Sequence, residues 1–311
     1  MPSKIRSLLT LLRVRQYYKN GLIFFGLFFS EKLFTIGNYL PFIIGFIVLC
    51  CASSVNYIIN DIKDIADDKK HPEKLKKKPL ASGEVSITFA LIIVIVLSIV
   101  IIVSWFFIQN LLFFVMVLML LITGQLYNHL LKKYAFVDVI ILSLGYLWRA
   151  LAGSYLIQIQ LSPWLFIAIF EIAMFLSIAK RKGDLMILGE KENAIEHKKV
   201  YNVYTQRLLD QFYIMIGASL FITYAIYLIF HFNLNPEAGT PFIFYEYLSM
   251  LSIPVFLYII MRYIYLTTTK PEIARNPERA IFDKGMILAG LILVAILSYS
   301  YYFGEIIASL F

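Results

Sequence analysis

The sequence predicts an all-α, polytopic membrane protein of nine transmembrane helices, and three observations predict it. Of the 311 residues, 60% are hydrophobic and 16% aromatic, against roughly 45–50% apolar usage in soluble domains. Apolar runs of about 20 residues, the length that crosses a bilayer, recur along the whole chain. Lys and Arg gather in alternate connections, the bias that marks the cytoplasmic side of a membrane.

The runs fall near 20–36, 38–60, 86–107, 109–131, 135–158, 162–182, 208–231, 242–266 and 285–309. The first is the shortest, and Glu31 and Lys32 interrupt it. With the N-terminus inside, 26 of the 28 Lys and Arg fall in cytoplasmic segments, leaving Lys32 outside and Arg149 within a helix. Nine spans with a cytoplasmic N-terminus and an external C-terminus are therefore expected, as one membrane domain over 1–311. Pro41, Pro163 and Pro241 sit at or near helix starts and Pro254 is a candidate kink, as ring geometry predicts. No early segment has a small-residue cleavage site behind a short apolar core, so a removable signal peptide is not expected.

Cys50 and Cys51 are adjacent inside an apolar run, which argues for packing and against a metal framework or disulfide scaffold. The net charge of +8 follows from the topological bias and suits lipid headgroups, so nucleic acid is not an expected partner. Oligomeric state stays open, a homo-oligomer included. The external connections are short and nearly uncharged. The internal stretches 60–84, 180–207 and 267–284 hold most titratable groups, so any chemistry belongs on the cytoplasmic face.

The stretch "IINDIKDIADDKKHPEKLKKKPLASG", 58–83, is the most polar. If the second span runs on to 68, a 100° step per residue places Asp61, Asp64 and Asp68 within about 60° on one face. Asn56 and Asn60 flank that face. Carboxylates this close repel unless a cation sits among them. Mg²⁺ takes oxygen ligands, usually one or two carboxylates plus substrate phosphates and water, so the spacing points to a Mg²⁺-diphosphate site. A solvated, charge-mixed juxtamembrane turn is the other reading. His71-Pro72, Lys78-Pro79 and Ser82-Gly83 mark the loop that follows. Its Lys74, Lys76, Lys77 and Lys78 supply point charges for phosphate oxygens or meet solvent and headgroups, and His71 is either a ligand or a loop hydrogen-bonder. No phosphate-loop, HExxH or GxSxG motif is present.

Arg149 lies at membrane depth in the fifth span, where an ionisable side chain defaults to a functional hypothesis. It follows Asp138 by about three turns and so shares its face; Glu171 is similarly placed in the sixth span. Ligand contact and a structural bridge from Arg149 to Asp138 or Glu171 both stay open.

Asn60-Asp61-x-x-Asp64-x-x-x-Asp68, with His71-Pro72 and the Pro79 to Gly83 stretch behind it, resembles the first aspartate-rich motif of the UbiA superfamily of intramembrane prenyltransferases. The resemblance implies a UbiA-like helical bundle of nine spans. "RVRQYYKNGLIFFGLFF" (13–29) is similar to the N-terminal signature of one branch, the polyprenyl-phosphate (decaprenyl-phosphate) 5-phosphoribosyltransferases. "YNHLLKKYAFVDVIILSLGYLWRALAG" (127–153), "FLSIAKRKGDL" (175–185) and "PEIARNPERAIFDKG" (271–285) are similar to that branch's later signatures. Where other UbiA members carry a second aspartate-rich motif, this chain has "AKRKGDL", with Asp184 the only aspartate behind Lys180, Arg181 and Lys182.

The branch implies Mg²⁺-dependent transfer of 5-phosphoribosyl from phosphoribosyl diphosphate to a polyprenyl phosphate, at the cytoplasmic face of the cell membrane. Asp61, Asp64 and Asp68 are then the metal-holding catalytic residues, and Lys19 and Asn20 the candidates for the acceptor phosphate. Asn56, Asn60, Lys74, Lys78, Tyr127, Asn128, Lys132, Arg149, Lys180, Arg181 and Asp184 complete the expected substrate site, with the prenyl tail in a groove open to the bilayer. The alternatives are a prenyltransferase that moves a prenyl group from its diphosphate to an aromatic or other lipophilic acceptor, and a transporter or lipid-binding protein. Against the last, the ionisable residues cluster at one face instead of lining a path across the bilayer.

Overall fold

The computed structural model describes residues 4–34, 37, 39–69, 75, 77–188, 199–234 and 244–304. Its elements are helices throughout the described residues. Eight of them are long and apolar enough to cross a membrane. The principal helices are α1 (Lys4–Leu11), α2 (Leu40–Lys63), α3 (Ile87–Val103), α4 (Leu111–His129), α5 (Val137–Leu156), α6 (Pro163–Leu188), α7 (Gln206–His231), α8 (Ser252–Thr269) and α9 (Lys284–Ser298). Of these, α1 is not among the spans.

Helix starts follow local chemistry. Ser86, Asn110, Thr205 and Asp283 each accept a backbone N–H three residues on, at the heads of α3, α4, α7 and α9, satisfying donors that the first turn leaves unpaired. Pro41 lies in the first turn of α2 and Pro163 opens α6, where a missing N–H is harmless. The span containing Pro254 is broken by a 3₁₀ turn, Ser249–Leu251, just ahead of α8. That turn contains Met250, the residue four before Pro254 whose carbonyl the ring would otherwise strike.

The first expected span departs from its prediction. Residues 14–29 form a 3₁₀ helix, Val14–Phe24, followed by one short α-helix, Phe25–Phe29. Asn20, within this run, is buried and hydrogen-bonded to side chains of other segments, so the segment is tied to its own unit where a lipid-facing span would be apolar throughout.

The contacts divide the chain into two compact units: Met1–Leu131 with Leu144–Gln160, and Lys132–Ser143 with Leu161–Phe311. In the first unit α2 is the central helix, with 67% of its apolar window buried, whereas the α3 span, at 6%, turns almost all of its aliphatic surface outward to lipid. Phe42, Val48, Leu49 and Ala52 of α2 pack with Ile23, Leu27, Phe113, Val117, Leu120 and Ala152. The second unit is built on α6, α7 and α8, with Phe175, Ile178, Tyr213, Leu220, Tyr263 and Leu266 in its core.

Candidate functional site

In the first unit a polar stripe descends one face of α2. Asp61, Tyr57, Ser53 and Cys50 follow one another at steps of four and three residues, the spacing that aligns side chains on a helix. From Asp61 to Cys50 the stripe is about 16 Å long.

At its upper end Asp61 (4% exposed) and Asp68 (2% exposed) are buried. Lys78 Nζ lies 2.9 Å from Asp61 Oδ1 and 2.5 Å from Asp68 Oδ2. Arg13 Nη2 donates to the same Asp61 oxygen at 2.8 Å, and its guanidinium stands 4.5 Å from the centre of the Tyr57 ring. α2 ends at Lys63, and Asp64 closes it as a half-buried cap before a short turn, Ile65–Asp68. Asp67 is exposed. Two of the three expected carboxylates therefore converge on one ammonium.

Among the described residues no three His, Cys, Asp or Glu side chains gather as a metal cage. Two hard carboxylate donors around one position still fit a Mg²⁺ ion that completes its shell with water and phosphate oxygens. Lys74 and His71 lie outside the described residues.

Deeper in the unit, Arg149 of α5 donates from Nε to Asn20 Oδ1 at 2.6 Å and from Nη2 to Ser53 Oγ at 3.0 Å. Asn20 accepts a further bond from Ser53 and donates to Cys50 Sγ; Cys50 and Cys51 are buried, free thiols. Gly153, one turn after Arg149, allows this contact: a Cβ there would stand 1.8 Å from the Ile23 carbonyl oxygen. Lys19 Nζ and the Arg149 guanidinium both lie within 6 Å of the Tyr146 ring centre, at 5.8 and 5.9 Å. Lys78, Arg13, Lys19 and Arg149 thus accompany two buried carboxylates in this unit.

Asn56 is buried between two helices of this unit. Its amide donates to the Leu120 carbonyl and accepts from Gln125, joining α2 to α4. Asn60 is half-buried on α2, and Tyr127 and Asn128 are half-buried at the end of α4.

The second unit holds an ionic network of its own. Arg181 Nε donates to Asp138 Oδ2 at 2.9 Å, and Tyr204 donates to Asp138 Oδ1 at 2.7 Å. Asp184 accepts from Tyr201 at 2.7 Å and pairs with Arg275 at 2.9 Å. Gly183 admits the helix that carries Arg275, since a Cβ there would lie 2.8 Å from the Pro271 carbonyl oxygen. Lys182 pairs with Asp210 at 2.6 Å. Burial pushes the Tyr201 and Tyr204 phenols well above their ordinary range, so both remain donors at neutral pH.

The basic run expected from "AKRKGDL" is in this way largely answered by carboxylates of its own unit, with Lys180 alone exposed. Lys132 is half-buried. The bridges suggested for Arg149 are replaced by others: Arg149 takes Asn20 and Ser53, Asp138 takes Arg181, and Glu171 accepts from Ser219 on α7. Sequence reasoning passed over Arg13, Ser53, Tyr57 and Tyr146. The signal for Ser53 and Tyr57 was their step of four ahead of Asp61, and Arg13 opens the signature it had singled out.

These features define a multi-pass helical membrane protein that keeps carboxylates and cations buried against one another. The chain belongs to the UbiA prenyltransferase family, whose model matches residues 21–272, and it is a transferase. It is 26% identical to a decaprenyl-phosphate phosphoribosyltransferase from Mycolicibacterium smegmatis, over 72% of this chain and 70% of that one. It is 24% identical to the protein of the same name from Corynebacterium glutamicum, over 70% and 65%. The structure of a UbiA homolog from Archaeoglobus fulgidus bound to GPP and Mg²⁺ shares the fold, with a TM-score of 0.65 at 17% identity, over 95% of this chain and 98% of that one.

Proposed function

We propose that this protein transfers 5-phosphoribosyl from phosphoribosyl diphosphate to a polyprenyl phosphate, with Mg²⁺, at the cytoplasmic face of the cell membrane. Arg149 carries the reading. It is 7% exposed in a membrane helix, and its hydrogen bonds go to the neutral groups of Asn20, Ser53 and the Gly145 carbonyl. Among the described residues no carboxylate pairs with it; a buried cation so placed is costly, and a phosphate anion relieves the cost, with Lys19 over the Tyr146 ring that Arg149 also approaches. The relatives named decaprenyl-phosphate phosphoribosyltransferase support the same substrates.

In this reading Asp61 and Asp68, with Asp64 beside them, hold Mg²⁺, which when bound neutralises charge on the departing diphosphate. Arg13 and Lys78, which stand at the same carboxylates, would pair with diphosphate oxygens. Lys19, Asn20 and Arg149 hold the acceptor phosphate. An oxygen of that phosphate attacks ribose C1, the bond from C1 to the diphosphate oxygen breaks, and its electron pair leaves with diphosphate. The acceptor is already an anion near neutral pH, so the chain's task is positioning and charge stabilisation. The distribution of Lys and Arg supports a cytoplasmic site.

The test incubates purified protein and Mg²⁺ with polyprenyl phosphate and labelled phosphoribosyl diphosphate, and in parallel with prenyl diphosphate and aromatic acceptors. Label entering lipid in the first reaction is the expected result. Product formed in the second reaction alone overturns the reading.

A further inference from the structure

Helix α1 has two unlike faces. Ser7 Oγ donates to Glu84 at 2.6 Å, and Leu11 is buried against Ile58, Leu80 and Ala90. The Leu12 carbonyl accepts from Ser54 on α2 at 2.9 Å. The helix is therefore seated on the elements that carry Asp61 and Lys78. Its other face projects Ile5, 70% exposed, and Leu9, 48% exposed, one turn apart and beside the exposed Lys4 and Arg6.

Eight residues extend about 12 Å, too short to cross a bilayer. Residues 1–30 contain five Lys and Arg and no acid. An apolar ridge edged by bases is the pattern that lies in a membrane interface, and it complements anionic headgroups. After α1 the backbone turns at Arg13, which adopts φ 52° and ψ 43°, a left-handed conformation unfavourable for a residue with a Cβ. That turn directs the guanidinium to Asp61.

We propose that α1 is an interfacial anchor for anionic phospholipid and that its immersion keeps Arg13 on Asp61, which makes the metal end of the site responsive to lipid charge. The second clause rests on the reading of Asp61 as a metal ligand; the first does not.

Full-length protein is placed in nanodiscs of phosphatidylcholine, alone or mixed with phosphatidylglycerol. A nitroxide on Leu9→Cys is compared with one on Ser82→Cys for collision with oxygen and with a water-soluble nickel chelate. The Leu9 label is expected to favour oxygen, more so with phosphatidylglycerol. Lys4→Gln and Arg6→Gln are each expected to lower the immersed fraction relative to the detached one about fivefold. Mn²⁺ binding without substrate, followed by its own paramagnetic signal, is expected to shift its midpoint between the two bilayers in the native chain and not in the doubly substituted one. Equal nickel access at Leu9 and Ser82 in both bilayers overturns the anchor. An immersed label with one Mn²⁺ midpoint in both bilayers overturns the coupling. No Mn²⁺ binding at all overturns the metal reading and the coupling with it, while the label still decides the anchor.

Discussion

Arg13 donates to Asp61 at 2.8 Å across 48 positions of sequence, so one of the two cations beside this buried carboxylate comes from the N-terminal segment, the other being Lys78. In the proposed site it neutralises Asp61 and then diphosphate. Arg13→Gln should lower kcat/KM about tenfold to a hundredfold, the range for one lost hydrogen bond to a charged group. Mg²⁺ alone should bind more tightly, because a repelling charge is gone. A titration with Mn²⁺ and a rate measurement check the two opposite signs.

Asp61→Asn and Asp68→Asn should each abolish turnover, because both carboxylates are buried and share Lys78. Asp67→Asn, at an exposed position in the same stretch, should keep most of it. Equal losses in all three variants, measured as label transferred to lipid, would contradict a site built on the buried pair.

Arg149→Met should raise KM for the polyprenyl phosphate more than for the ribosyl donor. It should also destabilise the first unit by about 1–3 kcal/mol, since Asn20 and Ser53 lose a buried donor. Arg149→Lys keeps the charge without the planar fork and should recover only part of the acceptor affinity. Steady-state kinetics in both substrates separate these outcomes.

Asp138→Asn breaks a pair whose side chains are 2% and 0% exposed. Removing one partner of such a pair typically costs about 3–5 kcal/mol, because Arg181 stays buried and loses its closest carboxylate, with Asp184 standing 4.0 Å away. Arg279→Gln, in a pair 54% and 73% exposed, should leave the melting temperature unchanged. Thermal unfolding in detergent compares the two.

Arg262 donates two hydrogen bonds to Asp283 and holds its carboxyl below the usual carboxylate range. Asp283 also caps α9. Because the folded value is lowered, the stabilisation is complete above the unfolded pKa of about 4 and is lost as pH falls through the folded value. Hydrogen exchange at the Met286 amide should therefore stay slow into mild acid in the native chain. Asp283→Asn should exchange faster at all pH values; protection lost already near neutral pH would contradict the clasp.

Much of this was readable from the chain. Eight of the nine expected spans correspond to long apolar helices, and the aspartates at 61 and 68 are buried beside one another. The resemblance carried by Asn60 to Asp68 and by the Arg13 to Asn20 signature led to the family that the chain belongs to. The expected first span, 20–36, is not among the eight long apolar helices of the described residues, and the burial of Asn20 depends on Arg149 far along the chain. The run at 180–182 shows only bases in the sequence, because Asp138 and Asp210, which pair with Arg181 and Lys182, are distant in sequence.

The sequence by itself determined where the long helices lie and which segments hold charge, since transfer of about 20 residues into lipid is decided locally by their composition. The tertiary structure decided which charge meets which. Arg13 reaches Asp61, Arg149 reaches Asn20 and Arg181 turns to Asp138, while close approaches at Gly153 and Gly183 bring Ile23 and Pro271 against their helices. The energy of a buried ion depends on its neighbours within a few ångströms, and those neighbours come from parts of the chain that sequence order keeps far apart.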